Sequence, residues 1–187
     1  MIVLPLPGFP VDLVSAAPAH THAVCAYFAR NQAHLAPWEP LRPAGFYAPQ
    51  AVRQRLENAA AEVEEDRSVQ FLLWDRGQGS MVGACNFTGI ARGASQSCHL
   101  GYSLDAQQQG RGLMTAALRR GIRFMFEQQA LHRIMAAYLP HNRPSERLLQ
   151  RLGFEREGYA RAYLNIAGRW QDHVLTALIA PLDVTER

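Results

Sequence analysis

The chain has 187 residues, of which 48% are hydrophobic and 19% charged, a composition that can build a core and excludes a disordered or fibrous chain. Its formal net charge is +3 and all nineteen basic side chains are arginine, so mechanisms that need a lysine amine are excluded. We expect one soluble, cytoplasmic domain over residues 1–187. The apolar runs are too short to span a bilayer, the opening lacks the basic region of an export signal, and the three cysteines show no paired spacing.

The first half of the chain predicts two amphipathic helices followed by an antiparallel meander. The opening residues predict no definite element. Apolar residues at helical spacing predict helices over 19–35 and 52–65, joined by a loop from Trp38 to Pro49. Strand-like runs follow at 69–74, 81–90 and 98–104, separated by turn-forming stretches.

The second half alternates between helices and strands. The clearest helix follows Asp105, where Met114, Leu118, Ile122 and Met125 form one apolar stripe. Beyond it the patterns predict a strand at 132–139, a helix at 144–152 and strands at 157–166 and 170–179. This order predicts a mixed α/β sheet with helices packed against it.

A glycine-rich turn, Gln107-Gln108-Gln109-Gly110-Arg111-Gly112, leads into the clearest helix. Glycines at the start of a helix let the backbone approach a ligand and present free amide hydrogens, where the helix dipole favours negative charge. The turn therefore predicts a pyrophosphate site, although it matches neither the dinucleotide G-x-G-x-x-G pattern nor the lysine-containing phosphate loop. The alternative is a loop that needs small residues to begin a helix.

The segment Tyr138–Leu149, with Leu152-Gly153-Phe154 after it, supports the ligand-binding interpretation. With these residues the chain resembles the GCN5-related N-acetyltransferase (GNAT) superfamily, whose acetyl-CoA motif is Gln/Arg-x-x-Gly-x-Gly/Ala at a helix start. Gln107, Gly110 and Gly112 match that motif. Within the superfamily the chain is most similar to the Rim group of ribosomal-protein-alanine N-acetyltransferases, especially its RimJ-type members, from about Leu35 to Ala180.

The resemblance implies a single-domain α/β GNAT fold. Its sheet is mixed and mostly antiparallel, but the strands at 98–104 and 132–139 are parallel neighbours that splay apart to admit the pantetheine arm of acetyl-CoA. Main-chain groups exposed by the splay would bond that arm. The residues expected to bind the cofactor are Gln107, Gln109, Gly110, Arg111, Gly112, Leu113, Asn142 and Arg147. Surface solvation is the alternative role for Arg147, and helix capping is the alternative for Asn142.

Transfer of an acetyl group to an amine needs a neutral nucleophile, a weak base and an acid for the departing thiolate. We expect Ser145 to be the acid, because its position matches the Rim-group serine; the alternative is a serine that bonds the amides of its own helix. Glu39 and His99 are the two candidate bases. For His99, the alternative is a side chain that only packs on the sheet.

The residues expected to contact the acceptor are Trp38, Glu39, Tyr102 and Asp172. Asp172 and His173 fall on opposite faces of their strand, so at most one of them faces a given pocket. The alternative for Asp172 is an ion pair with one of the arginines, and the alternative for Trp38 is a core position. No metal site is expected, since His20 and His22 would diverge on a helix.

The resemblance implies transfer of the acetyl group of acetyl-CoA, by direct attack in a ternary complex, to the N-terminal α-amine of a protein. The expected acceptor is an alanine-starting ribosomal small-subunit protein, and a ribosomal particle is a further partner; neither DNA nor a membrane is expected. Two alternatives remain open. One is acetylation of a small amine, such as an amino-acid conjugate or an antibiotic, and the other is a ribosome-assembly module that uses acetyl-CoA structurally.

Overall fold

The computed structural model describes residues 1–181. The strands are β1 (Val3–Pro5), β2 (Val11–Ser15), β3 (Ser68–Asp75), β4 (Ser80–Ala91), β5 (Ser97–Leu104), β6 (Arg133–Tyr138), β7 (Glu155–Ile166) and β8 (Arg169–Ile179). The helices are α1 (Thr21–Leu35), α2 (Pro49–Glu64), α3 (Leu113–Glu127) and α4 (Arg143–Arg151), with short 3₁₀ turns at Pro18–His20 and Ala106–Gln108. No helix among these residues is long and apolar enough to cross a membrane.

All eight strands form one sheet in the order β1-β2-β3-β4-β5-β6-β8-β7. Neighbours are antiparallel except for β5 and β6, which run parallel and pair only from Ser97 with Arg133 to His99 with Met135. Beyond that point β5 continues to Leu104 and β6 to Tyr138 without pairing to each other. The predicted fold class and the predicted splay of this strand pair are confirmed.

The helices cover the two faces of the sheet separately. On one face, α1 and α2 enclose a core with Tyr27, Leu56 and Leu72 at its centre. On the other face, α3 and the apolar side of α4 pack over side chains of β1 to β6 and β8. Each large side chain that is fully buried in this way stabilises the fold by about 1.5–3 kcal/mol.

Helix α3 buries the apolar stripe that its sequence predicts. Met114, Leu118, Ile122 and Met125, spaced at four, four and three residues, are all at least nine-tenths buried. They fill the face that α3 turns toward the sheet, as the predicted stripe requires. The helix therefore has a fixed rotation about its axis, and its first turn is held at the end of β5.

Strands β1 and β2 were not predicted. All five residues of β2 are buried, including Asp12, whose carboxylate accepts a hydrogen bond from Arg76. A charged residue inside a short strand, flanked by prolines at positions 5, 7 and 10, removes the alternation that would identify a strand. The prolines are tolerated because β1 is the edge of the sheet.

Candidate active site

The site lies where β5 and β6 separate. Their last paired residues are His99 and Met135, so Leu100 to Leu104 on one side and Ala136 to Tyr138 on the other border a gap in the sheet. Along the edges that face this gap the two strands do not bond each other. The main-chain N–H and C=O groups on these unpaired edges can bind an extended ligand as a further strand would.

The glycine-rich turn lies at the C-terminal end of β5, next to the gap. Gly110 and Gly112 have φ of +75° and +79°, in the left-handed region that glycine adopts without strain, and Gly112 is the N-cap of α3. Both are exposed, and a Cβ built at either one meets no atom within 4 Å. The start of α3 is thus open at these two glycines, and the free amides of a helix start favour an anion such as a pyrophosphate.

A buried carboxylate holds the turn in place. Asp105 Oδ1 accepts from the Gln107 N–H at 3.0 Å, and Asp105 Oδ2 accepts from Arg30 Nε at 2.6 Å and from Asn31 Nδ2 at 3.0 Å. The Asn31 Oδ1 in turn accepts from the Ala106 N–H at 3.1 Å. Burial alone would raise the pKa of Asp105, but these hydrogen bonds outweigh it and lower the pKa. The network ties the start of the turn to α1.

The predicted cofactor residues differ in what they offer to a ligand. Gln107, Gln109, Arg111 and Arg147 are exposed. Gln109 Nε2 also lies 3.1 Å from the Nε2 of His34 on α1. The Leu113 side chain is buried in the core, so only its main-chain amide is available to a ligand.

Asn142 is the N-cap of α4. Its Oδ1 accepts a hydrogen bond from the Ser145 N–H at 3.2 Å, so capping, the alternative considered for this residue, does occur. The cap uses only the carbonyl of the amide. The NH2 group of Asn142 has no partner among residues 1–181 and stays free for a ligand.

Tyr102 and Ser145 meet across the gap. The Tyr102 hydroxyl on β5 lies 2.5 Å from the Ser145 Oγ on α4, and either hydroxyl can be the donor. Ser145 therefore bonds another side chain through its hydroxyl. Burial raises the pKa of Tyr102 to about 12, more than its hydrogen bond with Ser145 lowers it, so the phenol stays protonated at neutral pH.

The loop between α1 and α2 approaches the gap from the side of the sheet that α1 and α2 cover. Trp38, 37% exposed, is no core residue: its ring stacks at 5.6 Å on His141, next to the cap of α4. The main-chain oxygen of Glu39 accepts from the Ala167 N–H in the β7–β8 turn at 2.9 Å. This loop, the β6–α4 connection and the β7–β8 turn thus lie together.

The Glu39 carboxylate is half-buried in this loop. Burial raises its pKa, while the positive charge of Arg42 and a 3.5 Å hydrogen bond from the Tyr47 hydroxyl act in the opposite direction. A carboxylate with a raised pKa is a better proton acceptor near neutral pH. His99, the other candidate base, is exposed on the face of β5 that α1 and α2 cover. It lies opposite Thr88 of β4.

Asp172 on β8 stabilises the neighbouring edge strand, β7, through hydrogen bonds. Its oxygens accept from the Ala162 N–H at 2.8 Å and from the Tyr159 hydroxyl at 2.9 Å, at an irregularity in β7. These bonds, the main-chain one first, lower its pKa. Among residues 1–181 it forms no ion pair with an arginine, and its neighbour His173 is buried.

Sequence reasoning missed Arg30, Asn31 and the contact between Tyr102 and Ser145. A signal for the first two was present: Asn31 lies on the buried face of α1 between Tyr27 and Leu35, and a polar residue on an apolar face requires a buried partner. No signal marked the tyrosine–serine contact, because 43 residues separate the two side chains in the chain. Within residues 1–181, no three His, Cys, Asp or Glu side chains are placed to hold a metal ion.

Comparison with known proteins identifies the architecture. A sequence model of the acetyltransferase (GNAT) domain matches residues 11–155. The chain belongs to the GNAT acetyltransferase family. It is therefore an acyltransferase, as the resemblance of its motifs predicted, and the match covers the gap, the glycine-rich turn and α4.

The chain is also similar to GNAT proteins of the Rim group. It is 45% identical over 155 residues to the ribosomal protein uS5-alanine N-acetyltransferase of Escherichia coli, covering 83% of this chain and 80% of that protein. A ribosomal-protein-alanine acetyltransferase from Vibrio fischeri superposes with a TM-score of 0.91 and 36% identity, over 96% of this chain and 97% of that one. RimJ of Mycobacterium smegmatis, in complex with CoA-disulfide, has a TM-score of 0.87 and 31% identity, over 96% and 86%.

Proposed function

We propose that this GNAT protein, as one N-acetyltransferase domain, transfers the acetyl group of acetyl-CoA to the N-terminal α-amine of a ribosomal protein that begins with alanine. The observation that carries the proposal is the open start of α3 at Gly110 and Gly112, beside the unpaired edges of β5 and β6. Two Rim-group relatives named for ribosomal-protein alanine acetylation support the acceptor. Such an acceptor places the reaction in the cytoplasm and makes the ribosomal particle a further candidate partner.

The residues that would hold acetyl-CoA are those around the turn and the gap. The exposed amides after Gln109 suit the pyrophosphate, and the guanidinium of Arg111 adds a permanent positive charge beside them. The edges of β5 and β6 suit the amide groups of the pantetheine arm. The free NH2 group of Asn142 is a further donor for that arm. Acetyl-CoA supplies the activated acetyl thioester; proton handling falls to the side chains around it.

The reaction forms a bond between the amine nitrogen and the acetyl carbon and breaks the bond from that carbon to sulfur. An α-amine with a pKa of about 7.7–8.0 is only partly neutral at pH 7, so a base must accept a proton from it. Glu39, half-buried with a raised pKa, is the first candidate, and His99 is the second.

Ser145 is the candidate acid that returns a proton to the sulfur. When Tyr102 donates its hydrogen to the Ser145 Oγ, the serine's own hydrogen is free to point into the gap. The protonated phenol then stabilises the negative charge that builds on Oγ as the serine proton leaves. The tyrosine that supports the serine comes from β5, because α4 itself carries no tyrosine.

A protein N-terminus fits the open side of the site. A depression of about 600 Å³ lies at its mouth, formed by Pro140, His141, Arg143, Trp170, Gln171 and Asp172. Trp170 is 67% exposed there, which leaves an aromatic surface for the folded part of the acceptor protein. Only the first residues of an acceptor need to enter, so a folded protein with a free end can be accommodated.

The test uses purified protein with acetyl-CoA and three acceptors: an alanine-starting peptide of the ribosomal acceptor, the same peptide starting with glutamate, and a panel of small amines. We expect thiol release with the first acceptor and a mass increase of about 42 Da, one acetyl group, on its N-terminus. A Ser145→Ala, Glu39→Ala protein is the negative control. Thiol release with small amines alone would refute the proposal and favour a small-amine acetyltransferase.

A further inference from the structure

A second cavity, of about 370 Å³, lies under α2 on the same face of the sheet as the loop between α1 and α2. Its walls include the apolar Phe28, Leu56 and Met81, and its floor on β3 and β4 carries the polar Gln70 and Asn86. No residue predicted to be functional lines this cavity. A mixed lining with a few polar groups is typical of ligand pockets.

The cavity lies next to the gap. Asn86 of β4 pairs directly with Gly101 of β5, and Gly101 lies two residues beyond His99, where β5 parts from β6. Paired residues of antiparallel strands project on the same face, so the side chain of Asn86 and the missing side chain of Gly101 belong to the face covered by α1 and α2. One strand spacing, about 4.8 Å, separates Asn86 from the edge of the gap.

Gly101 leaves open the space between the gap and Asn86. It is exposed, and a Cβ built there meets no atom within 4 Å. Its φ lies outside the left-handed region, so its backbone conformation does not require glycine. A glycine inside a strand weakens the strand and often marks a place where a ligand or another chain approaches closely. The missing side chain therefore leaves space between the gap and Asn86, which lines the cavity.

Asn86 offers both halves of an amide to that space. Within residues 1–181 its side chain has no hydrogen-bond partner, whereas the neighbouring Gln70 donates to Glu62 Oε2. An asparagine amide presents a donor and an acceptor, the pair that complements a peptide group. An extended chain advances about 3.3 Å per residue, so an acceptor with its α-amine in the gap brings its first peptide groups over Gly101 to Asn86.

We propose that the cavity under α2 binds the first two or three residues of the acceptor in extended form, with Gly101 as the passage and Asn86 as the residue that reads the peptide backbone. This inference rests on the proposed acetylation of a protein N-terminus. It assigns specificity for a peptide over a small amine to a surface distinct from the depression at Trp170. Because Asn86 bonds main-chain groups, it selects chain length and not side-chain identity.

The test compares Gly101→Val and Asn86→Ala with a matched control, Gly158→Val. Gly158 is another strand glycine with no atom within 4 Å of a built Cβ and no left-handed φ, but it lies on β7, away from the gap. Calorimetry measures the affinity for acetyl-CoA. Steady-state thiol release measures KM for alaninamide and for alanine-starting peptides of two and four residues.

In the wild type we expect KM to fall as the acceptor lengthens from alaninamide to the tetrapeptide. Asn86→Ala raises KM for the tetrapeptide about tenfold, the loss expected for hydrogen bonds to one peptide group, and leaves alaninamide within about twofold. Gly101→Val raises KM for every peptide by a larger factor. Acetyl-CoA affinity stays that of the wild type in Asn86→Ala, and Gly158→Val matches the wild type throughout.

Unchanged peptide KM in both variants, with peptides still acetylated, overturns this inference and leaves the proposed function intact. A weaker affinity for acetyl-CoA in Asn86→Ala also overturns it, because Asn86 would then serve the donor. If the wild type acetylates no peptide of any length, the proposed function itself fails, and the inference falls with it.

Discussion

Replacing Tyr102 with phenylalanine removes one hydroxyl from the gap between β5 and β6 and leaves the ring in place. That hydroxyl lies 2.5 Å from the Ser145 Oγ. If Ser145 protonates the departing thiolate, negative charge grows on Oγ as the proton leaves, and the bond from Tyr102 strengthens at that moment. The substitution should therefore lower kcat much more than it lowers stability.

The two effects differ in size. A hydrogen bond between neutral groups contributes about 0.5–1.5 kcal/mol, and one to a charged group about 1.5–3 kcal/mol. We expect Tyr102→Phe to reduce the free energy of unfolding by about 1 kcal/mol and to reduce kcat about 10- to 100-fold. Ser145→Ala should reduce kcat about 100-fold or more, as loss of an acid typically does.

The assay is thiol release at saturating acetyl-CoA and alanine-starting peptide, with unfolding measured by urea titration. Tyr27→Phe is the matched control, since the Tyr27 hydroxyl donates to Ser103 Oγ at 2.9 Å and burial likewise raises its pKa to about 12. It should cost similar stability and leave kcat unchanged. A kcat in Tyr102→Phe equal to that of the wild type would refute the reasoning. So would a finding that Tyr102→Phe lowers kcat by the same factor in the Ser145→Ala protein as in the wild type, because the two hydroxyls would then act independently.

Four further predictions concern the turn, the base and the buried network. Gly110→Val should weaken acetyl-CoA binding at least tenfold by calorimetry, whereas Gly93→Val, at an exposed turn with a similar φ of +68°, should leave it unchanged. Burial raises the pKa of Glu39; a kcat/KM profile corrected for the neutral fraction of the peptide α-amine should therefore show an acid limb above the usual range of a glutamate, and Glu39→Gln should abolish that limb. Asn31→Ala should lower the free energy of unfolding by about 1–3 kcal/mol in urea titrations, since it leaves the Ala106 N–H and part of Asp105 without partners. Because hydrogen bonds lower the pKa of Asp105, its contribution to stability is present above about pH 4 and is lost as the pH falls below that value; Asp105→Asn should therefore show a flatter acid denaturation profile.

Local pattern was sufficient for most of the secondary structure and for the donor half of the site. The stripe on α3, the Gln107–Gly112 turn and the Asn142 cap depend on residues close together in the chain, and the structure has all three. Strand β2 was not predicted because it depends on residues distant in the chain. It pairs with β3, and its buried Asp12 forms an ion pair with Arg76, 64 residues away.

The sequence by itself determined the order of the elements from α1 onward, the family and the turn that suits a pyrophosphate, because these depend on spacing of at most a few residues. Only the tertiary structure decided how β5 parts from β6 after three pairs, how Tyr102 meets Ser145, and how Gly101 opens toward Asn86. Each depends on packing between segments distant in the chain, where side chains are brought together by burial of the two cores and not by their own sequence neighbours.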